Sequence, residues 1–357
     1  MKIDRHSPSI HSTRVKLPHA LDAVRYAFRM CGLGLICLNP VVDARWAAGD
    51  PPRAAAMQPA AESVSRPAKT SVADPNPNQS QSQAVKLLRQ VLNLIVNGPA
   101  FDAKVRETVW TTGREVVGVG TYEQSGGGSG RYNLQLTMHD GDGKHRLQQI
   151  SDGRLAWTRT EISGKVSLRR VDVGRLDEWV KGATRQMPIS PRLKVGAWAE
   201  ILSTVQRDYV IDVVGAHLKS DPVWVITGTL RQDRRQEILS DSQRDQWPML
   251  YPTRVRIAVK SKPDLETGFG AFLPVRIEFW SDPIAATTDS ASAAEKREGR
   301  LITLIELYSI RPISPPPAER FRFENQDAEV NFTNETDRYI RLYGVRLTER
   351  QRRQLQR

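Results

Sequence analysis

The chain has 357 residues, enough for one large or two modest domains, and its 39% hydrophobic content is low for a chain folded throughout, so part of it is expected to be disordered. The net charge of +12 favours acidic partners such as lipid headgroups or nucleic acid, yet the signs interleave along the chain as they do on a solvated basic surface. Both cysteines, Cys31 and Cys37, lie near the N-terminus, which excludes a cysteine nucleophile, a zinc–cysteine site and a disulfide framework from everything after them.

Residues 1–44 read as an export signal. Lys2, Arg5, Arg14, Lys16, Arg25 and Arg29 precede a short apolar run, "MCGLGLICL", and then Asn39-Pro40 and the small-residue pattern Val42-x-Ala44. The run is shorter than the ~20 apolar residues that a bilayer span needs. Neither cysteine follows a small residue, which argues against lipidation, and cleavage after Ala44 would remove both. The expected location is the periplasm or cell envelope.

Residues 45–82 are rich in Ala, Pro, Ser, Gln and Asn and read as a disordered linker. Order is expected from residue 83 to 325. "SQAVKLLRQVLNLIVNG" places Val85, Leu88, Val91, Leu92 and Ile95 at helical spacing before a stop at Gly98. Strand patterns follow: "AKVRETVWTT", "REVVGVGTYEQ" and "RYNLQLTMH". The stretch "QQISDGRLAWTRTEISGKVSLRRVDV" holds two hairpin signals. A two-residue turn at Asp152-Gly153 would set Ile150 against Leu155 and Gln148 against Trp157. Ser163-Gly164 closes the second hairpin.

A helical interlude comes next, with Leu176, Trp179 and Val180 on one face and then Leu193, Trp198, Ile201, Leu202 and Val205 on one face. Five further strand patterns run to residue 312, and residues 283–298 read as an insertion loop. The expected fold class is α+β, with about eleven sequential, hairpin-linked antiparallel strands that must curl or close, and helices over one face. Residues 326–357 read as a basic tail, either solvated or in contact with an anionic membrane surface.

Chemistry is sparse. His139, Asp140, Asp142 and His145 crowd one turn, but their spacing matches no metal-ligand frame and Asp-Gly pairs suit an exposed turn. "SGGGSGR" lies between strands, which makes it a hairpin loop rather than a phosphate cradle opening a helix. No catalytic residue, metal or cofactor is assigned, an enzyme is not expected, and nucleic acid is not an expected partner.

The order of elements resembles the outer-membrane lipoprotein-sorting proteins, the LolA-like group of periplasmic carriers. The likeness rests on "AVKLLRQVLNLIVNGPAFDAKVRETVW", "VVGVGTYEQ", "RYNLQLTM", "LQQISDGRLAWTR", "VSLRRVDVGRL", "LKVGAWAEIL", "DYVIDVV" and "VWVITGTL", and spans residues 83–311. It implies a strongly curved, unclosed half-barrel with helices over an apolar cavity. It also implies non-covalent binding of lipid or lipoprotein acyl chains, with no cofactor. A relative of the same fold senses envelope stress by binding a regulatory protein, which is the rival reading. On this basis the alternating apolar residues Val109, Val117, Val119, Leu134, Leu136, Ile150, Leu155, Trp157, Val166, Leu168, Val225, Val255, Ile257, Ile277 and Phe279 are candidates for the cavity wall. Trp179, Trp198, Ile201 and Leu202 are candidates for a lid. Each is equally what a filled core would contain, and a face assignment slipped by one residue would invert a whole strand.

Overall fold

In the computed structural model, residues 77–355 are described apart from 112–113, 142, 184–188, 243–245, 249, 284–298 and 327–328. The expected export signal, the linker up to residue 76 and nearly all of the insertion loop lie outside the described residues.

Helix α1 (Pro77–Asn97) starts five residues earlier than the apolar spacing suggested, inside the stretch read as linker. Proline opens its first turn, where a missing N–H costs nothing. Ala84, Leu88, Val91, Leu92 and Ile95 are all buried, as one helical face against the sheet requires. The helix ends at a capping device that its own sequence does not reveal. The glycine-rich loop after β2 donates Gly128 N–H to Val96 O and Gly127 N–H to Gly98 O. Gln124 adds its amide to Ile95 O, 3.0 Å away. The loop's N–H groups therefore serve the otherwise unpaired carbonyls of a helix C-terminus.

Among the described residues twelve strands form one sheet, in the order β12-β6-β5-β4-β3-β2-β1-β11-β10-β9-β8-β7. They are β1 (Phe101–Thr111), β2 (Arg114–Gln124), β3 (Arg131–His139), β4 (Lys144–Asp152), β5 (Leu155–Ile162), β6 (Lys165–Asp172), β7 (Tyr209–Leu218), β8 (Asp221–Leu230), β9 (Arg254–Lys260), β10 (Pro274–Trp280), β11 (Leu301–Pro312) and β12 (Phe332–Asn334). The first eleven run antiparallel to their neighbours, and β12 adds to β6 in parallel. The sheet does not close, because β7 and β12 are both edges. This is the open, helix-covered antiparallel architecture expected from the sequence, with one strand more.

The chain order explains why helices cover the sheet. β1 lies mid-sheet, and hairpins step outward from it to β6. The chain must then reach the far edge to begin β7. It does so through α2 (Val173–Ala183), a short 3-10 turn (Pro191–Lys194) and α3 (Ala197–Asp208). That crossing lies on the apolar face, where α1 and α3 share one continuous core with β1–β3 and β7–β11. α2 packs beside it through Val173, Leu176, Trp179 and Val180. A polar helix, α4 (Gln232–Ser242), joins β8 to β9.

After β11 the chain crosses the opposite face of the sheet. Ile313 N–H bonds Ala100 O before β1, Arg320 lies 3.1 Å from Glu123 on β2, and Phe323 stacks on Trp157 of β5 at 4.7 Å. The segment becomes β12 on the β6 edge and then α5 (Thr336–Leu342), whose Tyr339 and Ile340 are buried against α2 on the helix-covered face. Residues 332–343, which fall within the expected basic tail, are thus packed on both sides of the edge. A last short helix, α6 (Glu349–Leu355), follows.

Candidate binding site between sheet and helices

The N-terminal end of α3 is where the helix layer meets polar groups inside the protein. Gly196 has φ 83, and a Cβ there would lie 1.7 Å from the Tyr132 hydroxyl, so only glycine fits. Ala197 follows at φ 44, a left-handed conformation that costs a residue with a side chain of order 1–3 kcal/mol. Two bonds to side chains hold this turn. Ala197 N–H donates to Gln149 Oε1 of β4 at 3.0 Å, and Gly196 N–H donates to Glu200 Oε2 at 2.7 Å. Glu200 is buried, and burial raises its carboxyl pKa above the ordinary value, against the opposing pull of Arg338. Tyr339 donates to the same carboxylate at 2.9 Å.

Beyond this hinge α3 turns an apolar face to the sheet. Trp198, Ile201, Leu202 and Val205 are almost wholly buried, each contributing on the order of 1.5–3 kcal/mol by leaving water. Tyr122 meets Trp198 edge-on at 5.9 Å. Two gaps flank Gly196. One, of about 30 Å³, lies among Ile95, Tyr122, Tyr132, Leu193 and Ala199, with Arg131 and the partly exposed Arg192 also lining it. The other, of about 10 Å³, lies among Tyr132, Gln149, Arg169, Glu200, Glu335 and Tyr339. The first has room for about two water molecules and the second for about one, so neither holds an acyl chain as it stands.

The candidate wall residues divide between the two faces of the sheet. Val109, Leu134, Leu136, Val255, Ile257, Ile277 and Phe279 lie in the core beneath α1 and α3, together with Trp198, Ile201 and Leu202. Trp179 sits in the neighbouring cluster under α2. Val117, Val119, Ile150, Leu155, Trp157, Val166, Leu168 and Val225 face the other way, a correction of one residue in each strand concerned. On β2 the side toward the helices is Val116, Gly118, Gly120 and Tyr122, and Val119 is 54% exposed. The glycine positions are filled from β3, since a Cβ on Gly118 would come within 2.6 Å of Met138 Cγ.

The hairpin after β4 is displaced in the same way. Its two loop residues are Gly153 and Arg154, with Gly153 at φ 86. Asp152 accepts the N–H groups of Arg154 and Leu155 at 2.7 Å each. Ile150 therefore pairs with Trp157, not Leu155, and Ala156 takes the helix side. On the outer face Trp157 packs against Phe323 and Phe332, and Arg170 lies 4.1 Å over the Phe332 ring. Leu168 pairs with Phe332, and Val225 belongs to a separate outer cluster with Ala216, Val223 and Ala258.

The histidine turn is more ordered than expected. His145 is buried, with Nε2 2.9 Å from Asp140 Oδ2, while Nδ1 accepts Ser163 N–H at 3.2 Å. Both ring nitrogens are thus engaged, Nδ1 by Ser163 and Nε2 by Asp140, which fixes the ring in place. The pair ties the β3–β4 turn to the β5–β6 turn. Among the described residues no three His, Cys, Asp or Glu side chains are grouped as a metal ion would need. No helix among them is long and apolar enough to cross a membrane.

No protein-family model and no curated protein matches the chain. Solved structures similar to it include the Pseudomonas aeruginosa MucA/MucB complex, at 12% identity and TM-score 0.33 over 70% of this chain and 63% of that one. The chain thus spans less than two thirds of that relative. A putative outer membrane lipoprotein-sorting protein domain from Vibrio parahaemolyticus is similar at 8% identity and TM-score 0.32, over 68% of this chain and 97% of that one. The Mycobacterium tuberculosis lipoprotein LppX is similar at 9% identity and TM-score 0.29, over 66% and 99% of the two chains.

Proposed function

We propose that this protein is an exported, non-enzymatic carrier that binds lipid or lipoprotein acyl chains between the sheet and helix α3. One observation carries the reading. The apolar face of a helix lies across an apolar sheet face, and its entry turn at Gly196-Ala197 is strained, polar and bordered by gaps. Swinging α3 about that turn would expose Trp198, Ile201 and Leu202 together with Tyr122, Tyr132 and Leu134 of the sheet. An acyl chain would replace helix-to-sheet contacts with contacts of equal kind, at ~0.8 kcal/mol per buried CH₂. Because α3 must be displaced each time, net affinity stays moderate, as a carrier that releases its cargo requires. Arg131 and Arg192 lie beside the larger gap, where they suit an anionic headgroup.

Native mass spectrometry of the protein purified from the envelope tests this. The carrier reading expects a population carrying acyl lipid and uptake of a fluorescent fatty acid after delipidation. A single unliganded species that takes up no fatty acid removes it. The rival reading, an envelope sensor that binds a regulatory protein on the same fold, is favoured by the completeness of the core, since Trp198 and Leu202 already fill the face. Capture of one defined protein partner without lipid would select it.

A further inference from the structure

We propose that residues 332–343 form a releasable clasp that holds α3 closed over the sheet. The inference rests on the carrier reading only for what the closure is for; the closure itself stands on the contacts.

The segment is held to β6 through its first residues and to α3 through Tyr339. On the β6 edge, β12 contributes three residues, Phe332, Thr333 and Asn334, all largely exposed. Glu335 N–H then bonds Arg170 O, and Asp172 N–H bonds Thr336 Oγ1 at 2.9 Å. Arg169 pairs with Glu335 at 3.5 Å. One helical turn later, Tyr339 reaches over α2 to the Glu200 carboxylate of α3. That carboxylate also receives Gly196 N–H at the strained hinge. The clasp therefore ends on the group that fixes the turn about which α3 would swing.

Its stability is local and low. A seven-residue helix is too short to persist alone, and a three-residue strand adds little. Such a unit opens at a smaller free energy than the sheet it rests on. Tyr339 and Ile340 pack with Trp179 and Val180, so release uncovers the α2 cluster and frees Glu200 together. The segment's own contacts fall on β6, α2 and α3. Opening therefore starts on the β2–β6 side of the sheet, where both gaps lie.

Amide hydrogen exchange on the full chain tests the clasp, using Tyr339→Phe and Thr336→Val. The second variant matters because Thr336 bonds β6 and not α3, so any effect on α3 must pass through the segment. Both are expected to speed exchange in residues 197–208 by about tenfold while leaving β8–β10 unchanged. Unchanged α3 exchange in both variants overturns the clasp, as does acceleration spread equally over β8–β10. Fatty-acid uptake is read in parallel. Faster α3 exchange with no uptake in any variant leaves the clasp standing and removes the carrier reading. Faster exchange with faster uptake supports both.

Discussion

The hydroxyl of Tyr339 donates to the Glu200 carboxylate, 2.9 Å from each oxygen, across 139 positions of sequence. Oε2 of that carboxylate also accepts Gly196 N–H at 2.7 Å. One buried acid thus joins α5, α3 and the strained turn that leads into α3. These contacts couple a late segment of the chain to the helix layer over the sheet.

Removing the hydroxyl alone should be felt. Tyr339→Phe leaves a buried acceptor short of one donor, a loss on the order of 1–3 kcal/mol. Urea unfolding followed by tryptophan fluorescence should show a lower midpoint with little change in slope. A midpoint equal to that of the wild type would mean the bond contributes nothing.

Glu200 should also give stability a pH dependence of definite sign. Burial raises its pKa above 4.5. The folded state then holds the proton more tightly than the unfolded state does. The stability linked to this group is complete below the unfolded value and is lost as pH rises through the raised one. Glu200→Gln keeps an oxygen for Gly196 N–H and cannot ionise. The stability difference between wild type and variant should therefore shift against the wild type as pH rises from about 4.5. Parallel pH profiles would contradict this.

The two faces of the sheet should respond differently to substitution. Ala199 borders the larger gap, and Ala199→Phe should fill it and abolish fatty-acid uptake in a folded protein. Trp157 lies on the opposite face against Phe323. Trp157→Ala should cost roughly 2–4 kcal/mol, reduced from a full core truncation because the ring is only partly buried, yet leave uptake intact. Loss of uptake in Trp157→Ala with its fold retained would place the ligand on the wrong side for this account.

Why the faces were harder to read than the elements follows from particular residues. The helix period marks Trp198, Ile201 and Leu202 as one stripe, and a stripe has one side to bury. In "VVGVG" the period of two favours Val117 and Val119, but the core side is carried by Gly118 and Gly120. There Leu136 and Met138 occupy the space a side chain would take. In "LAWTR" both faces are covered, by helices on one side and by Phe323 and Phe332 on the other. Apolar alternation then reports burial and not direction. Phe323 closes the stretch "ISPPPAERFRF", which has no period to mark it, and its partner Trp157 is distant in sequence. The turn slipped for a local reason, since Asp152 acts through its side chain from the strand end while Gly153 and Arg154 make the loop. His145 looked like part of an exposed turn because its partners, Asp140 and Ser163, come from two different hairpins.

The β2 assignment has its own test. A Cβ on Gly120 would lie 1.8 Å from the carbonyl oxygen of Gln135, a backbone atom that cannot move aside cheaply. Gly120→Ala should destabilise by about 1–3 kcal/mol or more, whereas Val119→Thr on the exposed neighbour should stay within ~0.5 kcal/mol. Thermal unfolding of the two variants decides it, and the reverse order would restore the opposite face to the core.

The central claim is that an acyl chain seats between α3 and the sheet. A photoreactive fatty acid, crosslinked to the full-length protein and located by peptide mass spectrometry, tests it most directly. The account predicts labels in residues 122–134 and 192–202, competed by unlabelled fatty acid and lost in Ala199→Phe. Labels around Trp157, Phe323 and Val119 on the other face, or no competable label at all, would contradict it.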